Sequence, residues 1–171
     1  MAYYITTPKV GSQVLTTTST TQGPHILGER AIARDPSVTG VKEATFIYVK
    51  ASVACVQYDT VWIKGASGFT APISDTLAKT PGQVGFAQVA FAADEYGWVM
   101  QDGLPLIRLT SSTEKNVALY VNASAGVLSG ATHSTQILGV VALTSVTTTV
   151  GAVTCVAKFP TVMRAASLTQ I

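Results

Sequence analysis

The chain has 171 residues, a formal net charge of +2 and a pI near 8.6; 12% of its residues are charged and 47% hydrophobic. That is the size of one domain, and the charged fraction is about half of the ~25% usual in soluble proteins, so much of the surface must be uncharged and suited to contact with other protein. The charge is spread, with +2 on residues 1–50, −2 on 51–110 and +2 on 111–171; this leaves no basic stripe for nucleic acid, and no apolar run approaches the ~20 residues that cross a bilayer.

Met1-Ala2-Tyr3-Tyr4 lacks the charged start and apolar stretch of a signal peptide, so synthesis in the cytoplasm is expected. Residues 1–43 read as an extended N-terminal arm. "LTTTSTTQGP" at 15–24 offers hydroxyls but little to bury, and the scattered apolar residues Tyr3, Tyr4, Ile5, Val10, Val14 and Leu15 suit anchoring on a neighbour more than building a core. "RDPSVTG" at 34–40 supplies turn residues before regular structure begins.

From Ala44 onward, residues 44–171 read as a β domain, because the hydrophobic period is two. Phe46 and Tyr48 alternate with Ile47 and Val49 in "TFIYVK"; Val56, Tyr58, Thr60 and Trp62 alternate with Gln57, Asp59, Val61 and Ile63 in "VQYDTVWIKG". Further strands are expected at 68–74, 84–92, 97–101, 105–110, 117–121, 137–143 and 152–159, each bounded by Gly, Pro, Asp, Asn or Ser. "ISDTLAKT" at 73–80 has room for one helical turn after Asp75. The stretch "GFAQVAFAADEYGWVMQDG" at 85–103 reads as a hairpin with Asp94 and Glu95 in its turn. Gly85 to Ala90 finds a weak echo in Gly139 to Ala142. Many short strands with tight connections predict an all-β barrel or sandwich, with Phe86, Phe91, Trp62 and Trp98 in its core.

Nothing in the chain assembles a reaction centre. His25 follows Pro24 in the arm and His133 sits in a polar loop; neither has an acid or cysteine at metal-ligand spacing, and an exposed or interface role is expected for both. Cys55 and Cys155 lie in apolar segments and read as buried thiols, with a disulfide dependent on whether the fold brings them together. Asp94 and Glu95 suit a solvated turn rather than a glycosidase pair. No phosphate-binding loop or G-x-S-x-G motif is present, so no enzyme, cofactor or metal is expected.

The stretches "LGERAIARD", "FIYVKASVACVQYDTVWI", "GFAQVAFAADEYGWVMQDG", "VALYVNASAGVL", "ILGVVALTS" and "AVTCVAKFP", taken in order over residues 27–160, resemble the head decoration, or capsid cement, proteins of tailed bacteriophages, of the phage lambda-like kind. Gly85-Phe86-Ala87-Gln88-Val89-Ala90 with Tyr96-Gly97-Trp98-Val99, then Leu119-Tyr120 with Ala125-Gly126, carry most of it. The resemblance implies a small β-barrel or β-tulip-like domain with an extended arm. It also implies a virion protein without catalytic activity, placed on the outer capsid surface and bound to the major capsid protein, commonly as a homotrimer. No nucleic-acid or membrane partner is implied. The alternative is a receptor- or carbohydrate-binding virion module or a tail component.

Overall fold

The computed structural model describes residues 4–5, 17–34, 43–64, 69–72, 82–147 and 149–164, with the backbone alone at 4–5, 69–72 and 164. Among them there is no helix, and the chain is all-β. In chain order the strands are β1 (Tyr4–Ile5), β2 (Arg30–Arg34), β3 (Glu43–Ala51), β4 (Thr60–Lys64), β5 (Phe69–Pro72), β6 (Gly82–Phe86), β7 (Tyr96–Gly103), β8 (Leu106–Leu109), β9 (Leu119–Val121), β10 (Leu128–Ser129), β11 (Thr135–Ala142) and β12 (Gly151–Arg164). They join in one mixed sheet, ordered β1-β2-β3-β5-β4-β6-β7-β12-β11-β9-β10-β8. The sheet as a whole is not a closed barrel, which is where it departs from the barrel expected. The helical turn expected at 73–80 lies outside the described residues.

Two circuits of strand pairing can be traced in this sheet, and they have the same connectivity. In the first, β3 pairs in parallel with β5, then β5 with β4, β4 with β6, β6 with β7 and β7 back with β3, all antiparallel. In the second, β8 pairs in parallel with β10, then β10 with β9, β9 with β11, β11 with β12 and β12 back with β8, again antiparallel. Number the five strands of each circuit one to five, and both read one-three-two-four-five.

The match extends to register. Ala51 opposite Thr70 becomes Leu109 opposite Leu128, and Trp62 opposite Ala71 becomes Tyr120 opposite Ser129, every residue displaced by 58. Phe86 opposite Met100 becomes Val141 opposite Val156, displaced by 55 and 56. The isolated bridge Cys55–Phe91 has its counterpart in Thr113–Val146. Three residues after each bridge's first member, Tyr58 and Asn116 both take positive φ, and their N–H groups donate to the carbonyls of Ala87 and Ala142.

Burial follows the same correspondence. Val49, Ala51, Val61, Ile63, Ala87, Phe91 and Val99 form one cluster in the first circuit. Their counterparts Ile107, Leu109, Leu119, Val121, Ala142, Val146 and Cys155 all belong to one cluster in the second. A third cluster lies on the other face of β3 and β7, where Phe46, Tyr48, Trp98 and Met100 meet Ala31, Ala33 and Leu27 from the N-terminal segment.

Local chemistry corrects several expected boundaries. Residues 56–59 alternate like a strand, yet they turn, because the Asp59 carboxylate accepts the Val56 N–H at 2.9 Å and Tyr58 takes φ of 71°. The stretch 85–103 is not a simple hairpin: β6 and β7 pair at Phe86–Met100 alone, and Phe91 between them bridges to Cys55. Asp94 and Glu95 do form a turn; Glu95 accepts the Ala92 N–H at 2.7 Å and Asp94 pairs with Lys50 at 2.7 Å. Gly97 is required for close approach rather than dihedral freedom, since a Cβ there would sit 2.7 Å from the Phe91 ring.

Candidate functional site

Part of the segment read as an arm is woven into the sheet. β2 lies beside the first half of β3, with Ala31 opposite Phe46 and Ala33 opposite Ala44, and its alternation of buried alanines with exposed Arg30, Ile32 and Arg34 suits a strand whose one face meets the body. β1 adds to β2 at Arg34 and Ala33. Tyr4 and Ile5 therefore sit in a backbone ladder, while Tyr3, Val10, Val14 and Leu15 lie outside the described residues.

Between Thr17 and Glu29 the chain straps across β7 and β3. At one end Ser19 exchanges both main-chain hydrogen bonds with Tyr96, at 3.0 and 2.8 Å; at the other, Gly28 donates to the Tyr48 carbonyl and Tyr48 donates to that of Glu29, both at 2.8 Å. The middle is pinned by His25. Its ring packs edge-on against Trp98 at 4.9 Å between centroids and tilted against Tyr48 at 5.2 Å, and its Nδ1 lies 3.4 Å from Glu29. His25 is thus buried beside Glu29, where an exposed or interface residue without an acid at metal-ligand spacing was expected; the aromatic floor that β3 and β7 supply is not adjacent to it in sequence.

Of the residues expected in the core, Phe86, Phe91 and Trp98 are buried, and Trp62 is half-buried against the second cluster. Cys55 and Cys155 are free and buried. Burial pushes the Cys55 thiol up to about 11 and the Cys155 thiol up to about 12. Because the thiolate is the nucleophile, neither is expected to react with an alkylating reagent at pH 8 in the folded protein, and both are expected to react in denaturant. Mass spectrometry of the labelled chain checks this, and rapid native labelling of either would contradict its burial.

Asp59 joins the two circuits. Its carboxylate reaches Arg108 Nη1 at 2.6 Å, while Arg108 N–H donates to the Tyr58 carbonyl and Thr60 N–H to that of Gly126. Burial raises the Asp59 pKa, against the Val56 N–H and Arg108, which lower it. Among the described residues no three His, Cys, Asp or Glu side chains gather as a metal site.

Hollows indent the surface formed by the described residues. One of about 500 Å³ lies between 112–116 and 145–147. Another of about 300 Å³ is bounded by Arg30, Gln83, Gln101 and Phe159, where the Gln83 Oε1 accepts from both Arg30 and Gln101. The broader feature is an apolar face on β11 and β12. Val141 stands opposite Val156, Leu143 donates its N–H to the Thr154 carbonyl, and Val141, Leu143 and Val156 are all exposed. Exposed apolar side chains in contiguous rows mark contact surfaces more often than isolated ones do. No described helix is long and apolar enough to cross a membrane.

No protein-family model matches this chain, and no curated protein matches it.

Proposed function

We propose that the protein is a structural virion component that binds the outer surface of the mature capsid of a tailed bacteriophage and cements neighbouring major capsid protein subunits, as a homotrimer and without catalysis. The reading rests on the sequence resemblance over residues 27–160, and the structural observation that supports it most is the placement of β1. β1 ends the strand order, so its far edge meets no further described strand. An edge strand at the end of an N-terminal segment is suited to pairing with a sheet edge of another protein. A shell is stabilised by any protein that binds its assembled form more tightly than its separated subunits, and capsid symmetry repeats each contact many times. The alternative of a sugar-binding module gains less support, since Trp98 is buried and Trp62 half-buried, leaving neither indole as an open stacking platform.

Removing residues 1–16 deletes β1 and leaves the strap from Thr17 onward. The shortened protein is expected to keep its fold by circular dichroism and to lose at least tenfold in affinity for capsids, a loss of about 1.4 kcal/mol. Undiminished capsid binding would remove the N-terminal strand from the account. Copy number in purified virions separates shell from tail: hundreds of copies fit the proposal, and a dozen or fewer fit a tail component.

A further inference from the structure

The two circuits share one topology but not one environment, and the difference exposes a surface. On the first, the face bearing Tyr48, Trp98 and Met100 is closed by the strap and β2. The counterparts of those three residues on the second circuit are Leu106, Thr154 and Val156, by the register that relates β3 to β8 and β7 to β12. Met100 is 0% exposed and Val156 is 42% exposed. Beside it, Phe86 is buried in the cluster that the second circuit supplies, whereas its counterpart Val141 is 39% exposed. Among the described residues, nothing plays the part of the strap on the second circuit.

The covering partner is not an added strand. On the first circuit the main-chain groups of Tyr48 are taken by Gly28 and Glu29 of the strap. At the equivalent Leu106, the Gln88 side-chain amide does the same work within the chain: its Oε1 accepts the Leu106 N–H and its Nε2 donates to the Leu106 carbonyl, both at 3.1 Å. With those groups satisfied, the strap's pairing has no second site there. What remains open is side-chain surface, which a flat apolar face covers and an extended backbone does not need to.

Charge narrows the partner further. Val141, Leu143, Thr154 and Val156 carry no charge, and of the flanking cations Arg108 is neutralised by Asp59 while Lys158 is exposed at the rim. A neutral centre with a polar rim is the usual anatomy of a subunit contact. It opposes no like charge when a second copy supplies the facing surface, and a chain of net charge +2 raises little long-range repulsion against itself. A strongly charged partner would gain nothing from this centre.

We propose that the β11–β12 face centred on Val141 and Val156 packs against a second copy of this chain and is the contact that joins its oligomer. This deepens the oligomeric part of the proposed function and does not depend on the capsid part. The test is the mass of the purified full chain by sedimentation equilibrium, without capsids, for the wild type, Val141→Asp, Val156→Asp and the control Val53→Asp, an exposed position away from this face. The expected result is a multiple of the 17.8 kDa chain for wild type and control, and a single-chain mass for both face variants with unchanged circular dichroism. Should either β-strand variant unfold, Leu143→Lys, just beyond β11, is expected to give the same dissociation in a folded chain. A monomeric wild type, or folded face variants with undiminished mass, would overturn the proposal. An oligomer that disperses in the variants while the wild type ignores capsids would retain this contact and reject the capsid reading.

Discussion

Trp98→Ala is expected to destabilise the protein by about 3–5 kcal/mol, the range for emptying a fully buried large aromatic. Trp98 is 1% exposed and holds a position between layers: it stands opposite Tyr48 in the β3–β7 ladder, its ring lies 5.1 Å from that of Tyr48, and His25 of the strap rests on it edge-on. Removing the indole leaves a cavity that two strands of a ladder cannot collapse to fill, and takes away the floor under His25. The melting temperature should fall by about 6–20 °C on the scale of a chain this size. The strap should also become more sensitive to protease, since its centre loses its main contact while its ends keep theirs. A midpoint near that of the wild type would show that the indole is not enclosed.

Gly126→Ala is the second large effect, expected at about 2–5 kcal/mol, and it arises from two separable causes. Gly126 has φ of +75°, a conformation that costs an L-residue about 1–2 kcal/mol. A Cβ there would also land on the buried Asp59 carboxylate, and crowding a packed site adds about 1–3 kcal/mol. Gly28 separates the causes, since its φ is +84° but a Cβ there would meet nothing within 4 Å. Gly28→Ala should therefore show the backbone cost alone. Denaturant midpoints for the two variants, with equal m-values, give the difference that belongs to Asp59. Equal losses at both glycines would mean that Asp59 moves aside freely and does not lock the circuits together.

The strands legible in the sequence are those with one buried face, such as β8 and β11, together with β3, whose apolar run is buried on both faces. β3, β8, β11 and β12 fall close to where the period of two puts them. β2 was hidden because its inward residues are Ala31 and Ala33, too small to contrast with their neighbours, and β10 spans only Leu128–Ser129. The strand start at Thr60 was hidden by Val56 and Tyr58, which alternate correctly until the Asp59 carboxylate turns the chain.

The correspondence between the two circuits was nearly invisible for a different reason. What the two circuits share is size and polarity at a position, as in Val49 and Ile107, Lys50 and Arg108, or Trp62 and Tyr120, and identity is almost absent. The echo between Gly85 and Gly139 fell in the right pair of strands but one residue out of register. Ala87 matches Ala142, while Gly139 sits at a bulge in β11, with φ of +77° and the Lys158 carbonyl where a Cβ would be. The open β11–β12 face could not be inferred from composition either, since Val141, Val156 and buried Val140 look alike in sequence; the contrast with the covered face of the first circuit, drawn among the described residues, is what sets it apart.

The most direct test of the shell-binding reading is co-sedimentation of the purified protein with capsids of its own virus that lack it, across a titration. The account predicts saturable binding near one copy per major capsid protein subunit. Absence of binding at any ratio, with the protein present in virions at a dozen copies or fewer, would contradict it.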